Sequence, residues 1–582
     1  MAGAFAARVW LCPSSAAQCC HFPIAIKMRI TSILASLAAA ATSVMALDRQ
    51  LYALNYASCP DDTNMPLDLD KLKDITHTVR MYSMDEACMT RLYWHAGWRN
   101  MKIWLGIWSE ADAKIDSFDG EFQRLKNLVE KGMVNNNNVV GIQVSSEAIY
   151  RYYIQGQHDF ADKGPINRII KHYKDVKAYL RSKNLFFPVV ITDIMDSYKY
   201  FPELYANTDV VSVNAFAMWQ NKTAVEGVPT LYNDFQGIWN SARALGKPVV
   251  LSETGWATGG TASVVAETSP EAQALYTKEF ISFAEQQNVN YYYFSSFDGN
   301  RDPEIERHFG LFDNTRTMKP LIASLTVGAA PTAVRLHSDA NVLKAGSYKQ
   351  GESFGKLSIS APAKGLTDRL DNEIWFYNQA DSGWLKSRST NACLQGNGKG
   401  QFVSVARCDA AKASQRWSFN GNGAQIGNLC LTKSLKLATC SNDNKGLTKV
   451  DMGSQELRIA VAGSDLELTE YYGALSVRSA PMAGAIPETQ LWYYDPMLQT
   501  IKNKANQNSC LDAWEFKDYG GVHVYNCDAT NDNQQWQYND KTGQIMHARK
   551  LGLCLSSDAS NGNVYLLSCD VNNAGQRFQM NL

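Results

Sequence analysis

Eight apolar extended runs, separated by helix-like stretches, occupy residues 47–328 and leave few ways for that part of the chain to fold. The runs are Leu51–Tyr56, Thr76–Tyr82, Met101–Trp108, Val139–Ser145, Phe187–Thr192, Asp209–Phe216, Lys247–Ser252 and Val289–Phe297. Between them Phe122–Lys131, Asn167–Ser182, Tyr232–Leu245 and Ser269–Gln286 read as helices. Strands alternating with helices imply parallel pairing through crossovers, and eight such units predict a closed (β/α)₈ barrel. Two of the runs end in a glutamate. One lies in Val144-Ser-Ser-Glu147-Ala-Ile-Tyr-Arg151, the other in Val249-Val-Leu-Ser-Glu253-Thr-Gly-Trp256. A carboxylate at the C-terminal tip of a buried parallel strand has left the packed core and faces the barrel mouth. Two of them form a candidate pair for acid and nucleophile chemistry, or else take part in structural ion pairs.

The chain has 582 residues, too many for one core, and three or four domains are expected. A net charge of -1 gives no pull toward nucleic acid or an anionic membrane. The 14 Trp and 27 Tyr serve either as core or as platforms for sugar rings. Cys12, Cys19 and Cys20 lie near the start, and the other ten cysteines are spread over the remainder without a Cys-x-x-Cys or His-rich spacing. Disulfides in an oxidising compartment fit that pattern better than zinc, and no metal or cofactor is implied. Lys27-Met28-Arg29, the apolar run Ile30–Ala41 and the small residues at Val44-Met45-Ala46 read as a secretory signal peptide over 28–46, with 1–27 as an upstream extension. Cleavage after Ala46 removes the three early cysteines, and the run falls short of the ~20 apolar residues a membrane span needs. Asn221-Lys-Thr223 is an N-glycosylation triplet.

With these motifs in view, residues 47–328 resemble a glycoside hydrolase family 17 β-1,3-glucanase. Val249–Trp256 is similar to that family's nucleophile motif and Gly141–Arg151 to its acid/base motif, while Val79–Ser83 and His308–Phe312 match its second-strand and terminal signatures. The resemblance implies Glu253 as nucleophile and Glu147 as general acid/base of a retaining enzyme, whose carboxyls stand about 5–5.5 Å apart. Arg80 then either holds Glu253 ionised or forms a surface ion pair. The resemblance also implies glucan contacts at Tyr56, Asn214, Phe216, Trp256, Phe297 and Glu306. Tyr56, Phe216 and Trp256 read alternatively as rim packing, and Glu306 as a structural ion-pair partner. Cys59 and Cys88, after strands one and two, are expected to pair. Ser146 departs from the family pattern, which has Asn there. A serine reaches less far and carries one proton, so either activity is reduced or Asn214 compensates.

Beyond the linker 329–332 the texture changes to short strands rich in Gly, Asn and Asp, and a repeat appears. Glu373-Ile-Trp375 returns as Gln490-Leu-Trp492, and Gln415-Arg-Trp417 as Gln534-Gln-Trp536. The spacing of about forty residues, three units to a module, resembles ricin B-type β-trefoil lectins. Two modules follow, 333–455 and 456–582. The recurring Trp is assigned to the core. Within units, Cys393 falls with Cys408, Cys430 with Cys440, Cys510 with Cys527, and Cys554 with Cys569. By resemblance one unit keeps a sugar site, with Asp512 as acceptor, His523 and Tyr525 as platform, and Asn533 and Gln534 as an amide fork.

The expectation is a secreted, monomeric, retaining β-1,3-glucan hydrolase of endo action, placed outside the cell or in the cell wall. Its partner is β-glucan polysaccharide, with no nucleic acid and no membrane span. A glucan transglycosylase sharing both glutamates is the alternative reaction. An inactive cell-wall lectin is the alternative of another class, with Ser146 as its support.

Overall fold

The computed structural model describes residues 47–300, 302–346, 356–363, 366, 371–379, 383–421, 423–443, 445–479 and 486–581. The expected signal peptide and the three early cysteines lie outside them. Eight parallel strands close into a barrel in sequence order. They are β1 (Leu54–Asn55), β2 (Thr78–Arg80), β3 (Lys102–Gly106), β4 (Val139–Ser146), β5 (Val189–Ile194), β6 (Val211–Asn214), β7 (Val249–Thr254) and β8 (Asn290–Tyr293). Leu54 pairs with Val79 on one side and Tyr293 on the other, which seals the ring. Each sits inside or beside its apolar run, but most are shorter than the run. A hydrophobic stretch continues into packed loops where ladder pairing has already stopped. The last run shows this: β8 ends at Tyr293, and Phe297 instead forms an isolated bridge with Phe312.

The outer helices are α1 (Asn64–Leu72), α2 (Glu86–Gly97), α3 (Phe118–Glu130), α4 (Gly164–Ser182), α5 (Met195–Tyr200), α6 (Glu203–Ala206), α7 (Ala224–Ala244) and α8 (Pro270–Gln287). Their inner faces follow helical spacing. In α4, Ile166, Ile169, Ile170, Tyr173, Val176 and Leu180 are buried, while the intervening charges face out. The start of α8 is set by Ser269, whose side chain accepts from the Ala272 amide, and by Pro270 in the first turn. Cys59 and Cys88 are joined and tie the loop after β1 to the first turn of α2.

The C-terminal region is all-β and forms two β-trefoil modules. Thr332–Ser338, which begins inside the expected linker, pairs antiparallel with Thr448–Asp451. Gln455–Val461 pairs likewise with Phe578–Asn581. Each module thus closes by joining its first strand to its last. Trp375, Trp417, Trp492 and Trp536 are buried, and their indole N–H groups donate to the carbonyls of Leu343, Leu394, Leu468 and Leu511. Four disulfides, 393–408, 430–440, 510–527 and 554–569, lie inside the units.

Barrel and modules belong to one compact unit. The underside of the barrel is an apolar layer of Ala53, Trp104, Val190, Val210, Val250 and Tyr292, and Leu551 from the second trefoil completes it. Gly141 is required here: a Cβ at that position would lie 2.2 Å from the Trp104 ring. Polar bonds frame the joint. Asn290 Nδ2 donates to the Ala548 carbonyl at 2.9 Å, Asn539 Nδ2 donates to the Arg243 carbonyl at 2.9 Å, and Arg243 pairs with Asp540. The first trefoil meets α7 and α8 through the Arg388 carbonyl, which accepts from Tyr232 Oη and Gln287 Nε2.

The joint makes the second trefoil part of the barrel's core. Leu551→Ala is expected to cost about 2–5 kcal/mol, as other buried leucines do. Calorimetry should show the loss as a lower midpoint for the barrel itself; a barrel transition that stays in place would show the joint to be superficial.

Candidate functional site

The barrel strands are irregular where the polar residues stand. Ladder register shifts between Gln143 and Ser146 on β4, between Val213 and Asn214 on β6, and between Leu251 and Thr254 on β7. Such bulges re-aim side chains at barrel rims. Here they turn Ser146, Glu147, Asn214 and Glu253 into one cleft of about 1090 Å³ on the C-terminal face.

Beneath the floor lies Arg80, whose side chain has 0% exposure. Its Nη1 donates to Glu253 Oε1 at 2.8 Å and to Asn55 Oδ1 at 2.7 Å. Its Nε donates to Gln143 Oε1 at 2.5 Å, and Nη2 to Ser146 Oγ at 3.4 Å. The guanidinium also sits 4.5 Å from the Tyr82 ring centre. The surface ion-pair alternative therefore falls away: this is a buried, fully engaged cation aimed at one carboxylate. Glu253 accepts further from Ser146 Oγ at 3.3 Å.

Glu147 has different surroundings. Its carboxyl accepts from Asn214 Nδ2 at 2.8 Å. The other end of that amide accepts from Ser252 Oγ at 2.7 Å, which sets its orientation. Burial, and then the charge of Glu253, push the Glu147 carboxyl up to about 7, against the opposing bond from Asn214. Its backbone has φ +59°, a left-handed conformation that costs a non-glycine residue about 1–2 kcal/mol. Neighbours hold it there. The Glu147 amide donates to Thr192 O at 3.0 Å, and a π-helical turn, Tyr150–Gln155, follows. Buried Asp193 accepts from the amides of Ile149 and Tyr150 at 2.9 and 3.1 Å. Burial raises Asp193 itself to about 6, and its charge adds to the upward push on Glu147.

Of the residues named from sequence, Ser146, Glu147, Asn214, Phe216, Glu253 and Glu306 line the cleft. Four others do not. Arg80 is under the floor. Tyr56 is fully buried and donates its hydroxyl to Asp68 at 2.8 Å. Trp256 is fully buried with its indole N–H on the Glu267 carbonyl at 3.1 Å. Phe297 packs behind the wall against Tyr56 and Phe312. Tyr82, Trp108 and Trp219 supply aromatic lining instead, Trp108 exposed and the other two half-buried. Tyr82 and Trp108 end the second and third apolar runs, a signal that sequence reading passed over; Trp219 lies in a short 3₁₀ turn with no such mark. Asn55 and Gln143 were missed as well, although a glutamine inside the run Val139–Ser145 is itself a sign of a buried polar partner.

The trefoil site is also revised. Asp512, His523 and Tyr525 come together: His523 Nε2 is 3.3 Å from Asp512 Oδ1, and the His523 and Tyr525 rings stack at 5.7 Å. Gln534 is fully buried and serves as a staple, donating to Asp512 and the Asn526 carbonyl and accepting from the Asp528 amide. Asn531, not Asn533, donates its side-chain amide to Asp512 at 3.1 Å. Trp514, 54% exposed, adds a second outward ring. Asn221 is exposed at the end of its 3₁₀ turn. Among the described residues no helix is long and apolar enough to cross a membrane, and no group of three or more His, Cys, Asp or Glu is arranged to hold a metal ion.

Comparison with known proteins identifies the domains. Residues 50–310 match the BtgE/BtgC glycoside hydrolase domain, and residues 476–578 the ricin-type β-trefoil lectin domain. The chain is 26% identical over 308 residues to a probable glucan endo-1,3-beta-glucosidase, btgC, of Aspergillus flavus; the match covers 47% of this chain and 42% of that one. It is 25% identical over 312 residues to a glucan 1,3-beta-glucosidase of Saccharomyces cerevisiae, covering 50% of this chain and 97% of the yeast protein. The crystal structure of a glycoside hydrolase family 17 beta-1,3-glucanosyltransferase from Rhizomucor miehei aligns with TM-score 0.41 and 29% identity over 48% of this chain and 98% of that one. The chain thus spans less than half the length of the first of these relatives.

The two carboxyls are electrostatically linked, which a titration reads directly. The Glu147 carboxyl, followed by carbon NMR, is expected to titrate near 7 in the intact protein and to fall toward 4.5 in Glu253→Gln, where a negative neighbour is gone. Asp193→Asn should move it in the same direction. A midpoint indifferent to both changes would show the two side chains to be uncoupled.

Proposed function

We propose, from a BtgE/BtgC glycoside hydrolase domain at residues 50–310 joined to trefoil modules, that this protein is a secreted retaining hydrolase acting within β-1,3-glucan chains. The observation that carries the reading is the contrast between two glutamates in one cleft. Glu253 is paired with a buried guanidinium, while Glu147 is burdened by burial and by a like charge. A carboxyl whose proton affinity is raised can serve as acid beside a second that is paired with a cation.

The chemistry follows from that contrast. Glu147, protonated, donates to the glycosidic oxygen as the bond to the leaving sugar breaks. Glu253 attacks the anomeric carbon through an oxocarbenium-like transition state and forms a glycosyl ester. Glu147, now ionised, takes a proton from water, which attacks the same carbon and releases Glu253. Ser146 is directed to Glu253 rather than toward open solvent, so Asn214, beside Glu147, is the amide placed to meet the sugar 2-hydroxyl. The aromatic lining from Tyr82, Trp108 and Trp219 offers faces for neighbouring rings of the chain. Five disulfides support passage through an oxidising compartment, and Asn221 is placed to carry a glycan there. In the second trefoil, Asp512 with His523, Tyr525 and Trp514 forms a sugar platform that holds the enzyme on polysaccharide.

Release of reducing ends from linear β-1,3-glucan tests the reading. Glu253→Gln should abolish it, and Glu147→Gln should lower it about 10²–10⁴-fold. Because the first step needs Glu147 protonated, kcat/KM should fall as pH rises through about 7. Full activity in Glu253→Gln would overturn the assignment. Products longer than a supplied laminari-oligosaccharide would replace hydrolysis by transfer.

Retention on insoluble β-glucan tests the module. Asp512→Ala in the full chain should elute earlier than wild type, and unchanged retention would reduce this trefoil unit to scaffold.

A further inference from the structure

Helix α2 and its C-cap present a second aromatic face, away from the cleft. Trp94 and Trp98 are 60% and 77% exposed. Four residues apart on a helical backbone, they share one face and stand about 6 Å apart along the axis. Together with Asp62, Glu86, Arg91 and His95 they line a groove of about 740 Å³, which shares no residue with the Glu147–Glu253 cleft. Two exposed rings rimmed by polar groups offer a stacking surface.

The groove is built before any ligand arrives. The Cys59–Cys88 bond joins its two walls. Asp85 caps α2 by accepting from the Cys88 amide at 2.8 Å. Arg91 crosses from α2 to the loop, donating to Pro60 O at 3.2 Å and to Cys59 Sγ at 3.4 Å. A rigid site loses little freedom on binding.

The electrostatics select the kind of occupant. Glu86 is paired with Lys131, Asp62 faces His95 at 3.8 Å, and the charge of Arg91 lies beside Asp61. Glu86 and Arg91 thus have opposite charges beside them, and Asp62 has an imidazole, so the rim carries no cluster of like charge for an acidic or basic partner. Two flat apolar faces with a hydrogen-bonding rim complement a neutral polyol, whose ring faces are apolar and whose edges carry hydroxyls.

We propose that the groove between residues 57–63 and α2 is a second glucan-binding site on the catalytic domain, with Trp94 and Trp98 stacking on neighbouring sugars of one neutral strand. The choice of polysaccharide rests on the glucan-hydrolase reading; the groove itself does not. It would grip a wall strand independently of the trefoil platform, so that the barrel and the second module each hold polymer.

The test compares full-length protein with the double variant Trp94→Ala/Trp98→Ala. Both rings project into solvent, so the fold is preserved. Turnover of a short soluble laminari-oligosaccharide should be unchanged, because the cleft is untouched. In a Glu253→Gln background, where substrate persists, binding to insoluble β-1,3-glucan should weaken about tenfold. Trp94→Phe/Trp98→Phe should recover most of it. Equal binding by the alanine variant and its parent overturns the proposal. So does a parent that sediments as a dimer and a variant that sediments as a monomer, since the face would then belong to a second copy. A wild type that binds through these tryptophans yet never cleaves the oligosaccharide would remove the hydrolase reading and leave the groove standing.

Discussion

A guanidinium with no contact with water is expensive, and the mouth of this barrel is organised around one. Isolated in the interior, the Arg80 charge would cost several kcal/mol. It is tolerated because Asn55, Gln143, Ser146 and Glu253 surround it with acceptors from three different strands. Each acceptor is in turn committed. Asn55 also accepts from Tyr82 Oη and donates to the carbonyls of Ser252 and Tyr292. The network therefore links β1, β2, β4, β7 and β8, and Glu253 cannot swing away without leaving a buried cation short of its counter-charge. Removing one partner of such a pair costs about 3–5 kcal/mol. Rigidity of the carboxylate follows from the cost of exposing the cation, not from a dedicated brace.

Glu147 is placed by the opposite logic. Its backbone is in the left-handed region, and burial first, then the negative charges of Glu253 and Asp193, raise its proton affinity. Asp193 does two things with one group. Its oxygens secure the amides directly after Glu147, and its charge makes ionisation of Glu147 harder. One strand tip is paired with Arg80, while the other is buried beside two acids, and burial is the larger reason its proton affinity is raised. Donation from Asn214 and the charge of Arg151 limit how far that affinity rises.

The barrel was legible because its signal is periodic. Eight apolar runs must be buried on both faces, and only a few topologies do that. The glutamates were legible because a charge ending such a run has little choice but the mouth. What sequence could not supply was which way a strand-end aromatic turns. Tyr56 and Trp256 each stand beside the mouth in the chain, yet their polar atoms bond inward to Asp68 and the Glu267 carbonyl. Tyr82 and Trp108, in equivalent positions, turn into the cleft. The trefoil error has a similar origin. Gln534 recurs in the repeat, as do Gln415 and Gln576, and all three accept from a backbone amide six residues upstream. Recurrence marked a staple of the fold, and the further amide beside Asp512 comes from Asn531, which has a counterpart at Asn573 but stands where the first module has Lys412.

The joint under the barrel changes how the modules are understood. A lectin on a loose linker raises local substrate concentration while leaving the catalytic domain free to reorient. Here Leu551 enters the layer formed by Trp104 and Tyr292, and Asn290 and Arg243 are bonded to the second trefoil. That trefoil closes the N-terminal end of the barrel, while the cleft opens at the C-terminal end. The second trefoil therefore holds a fixed orientation to the cleft, and that orientation arises from packing beneath the barrel rather than from any residue in the cleft.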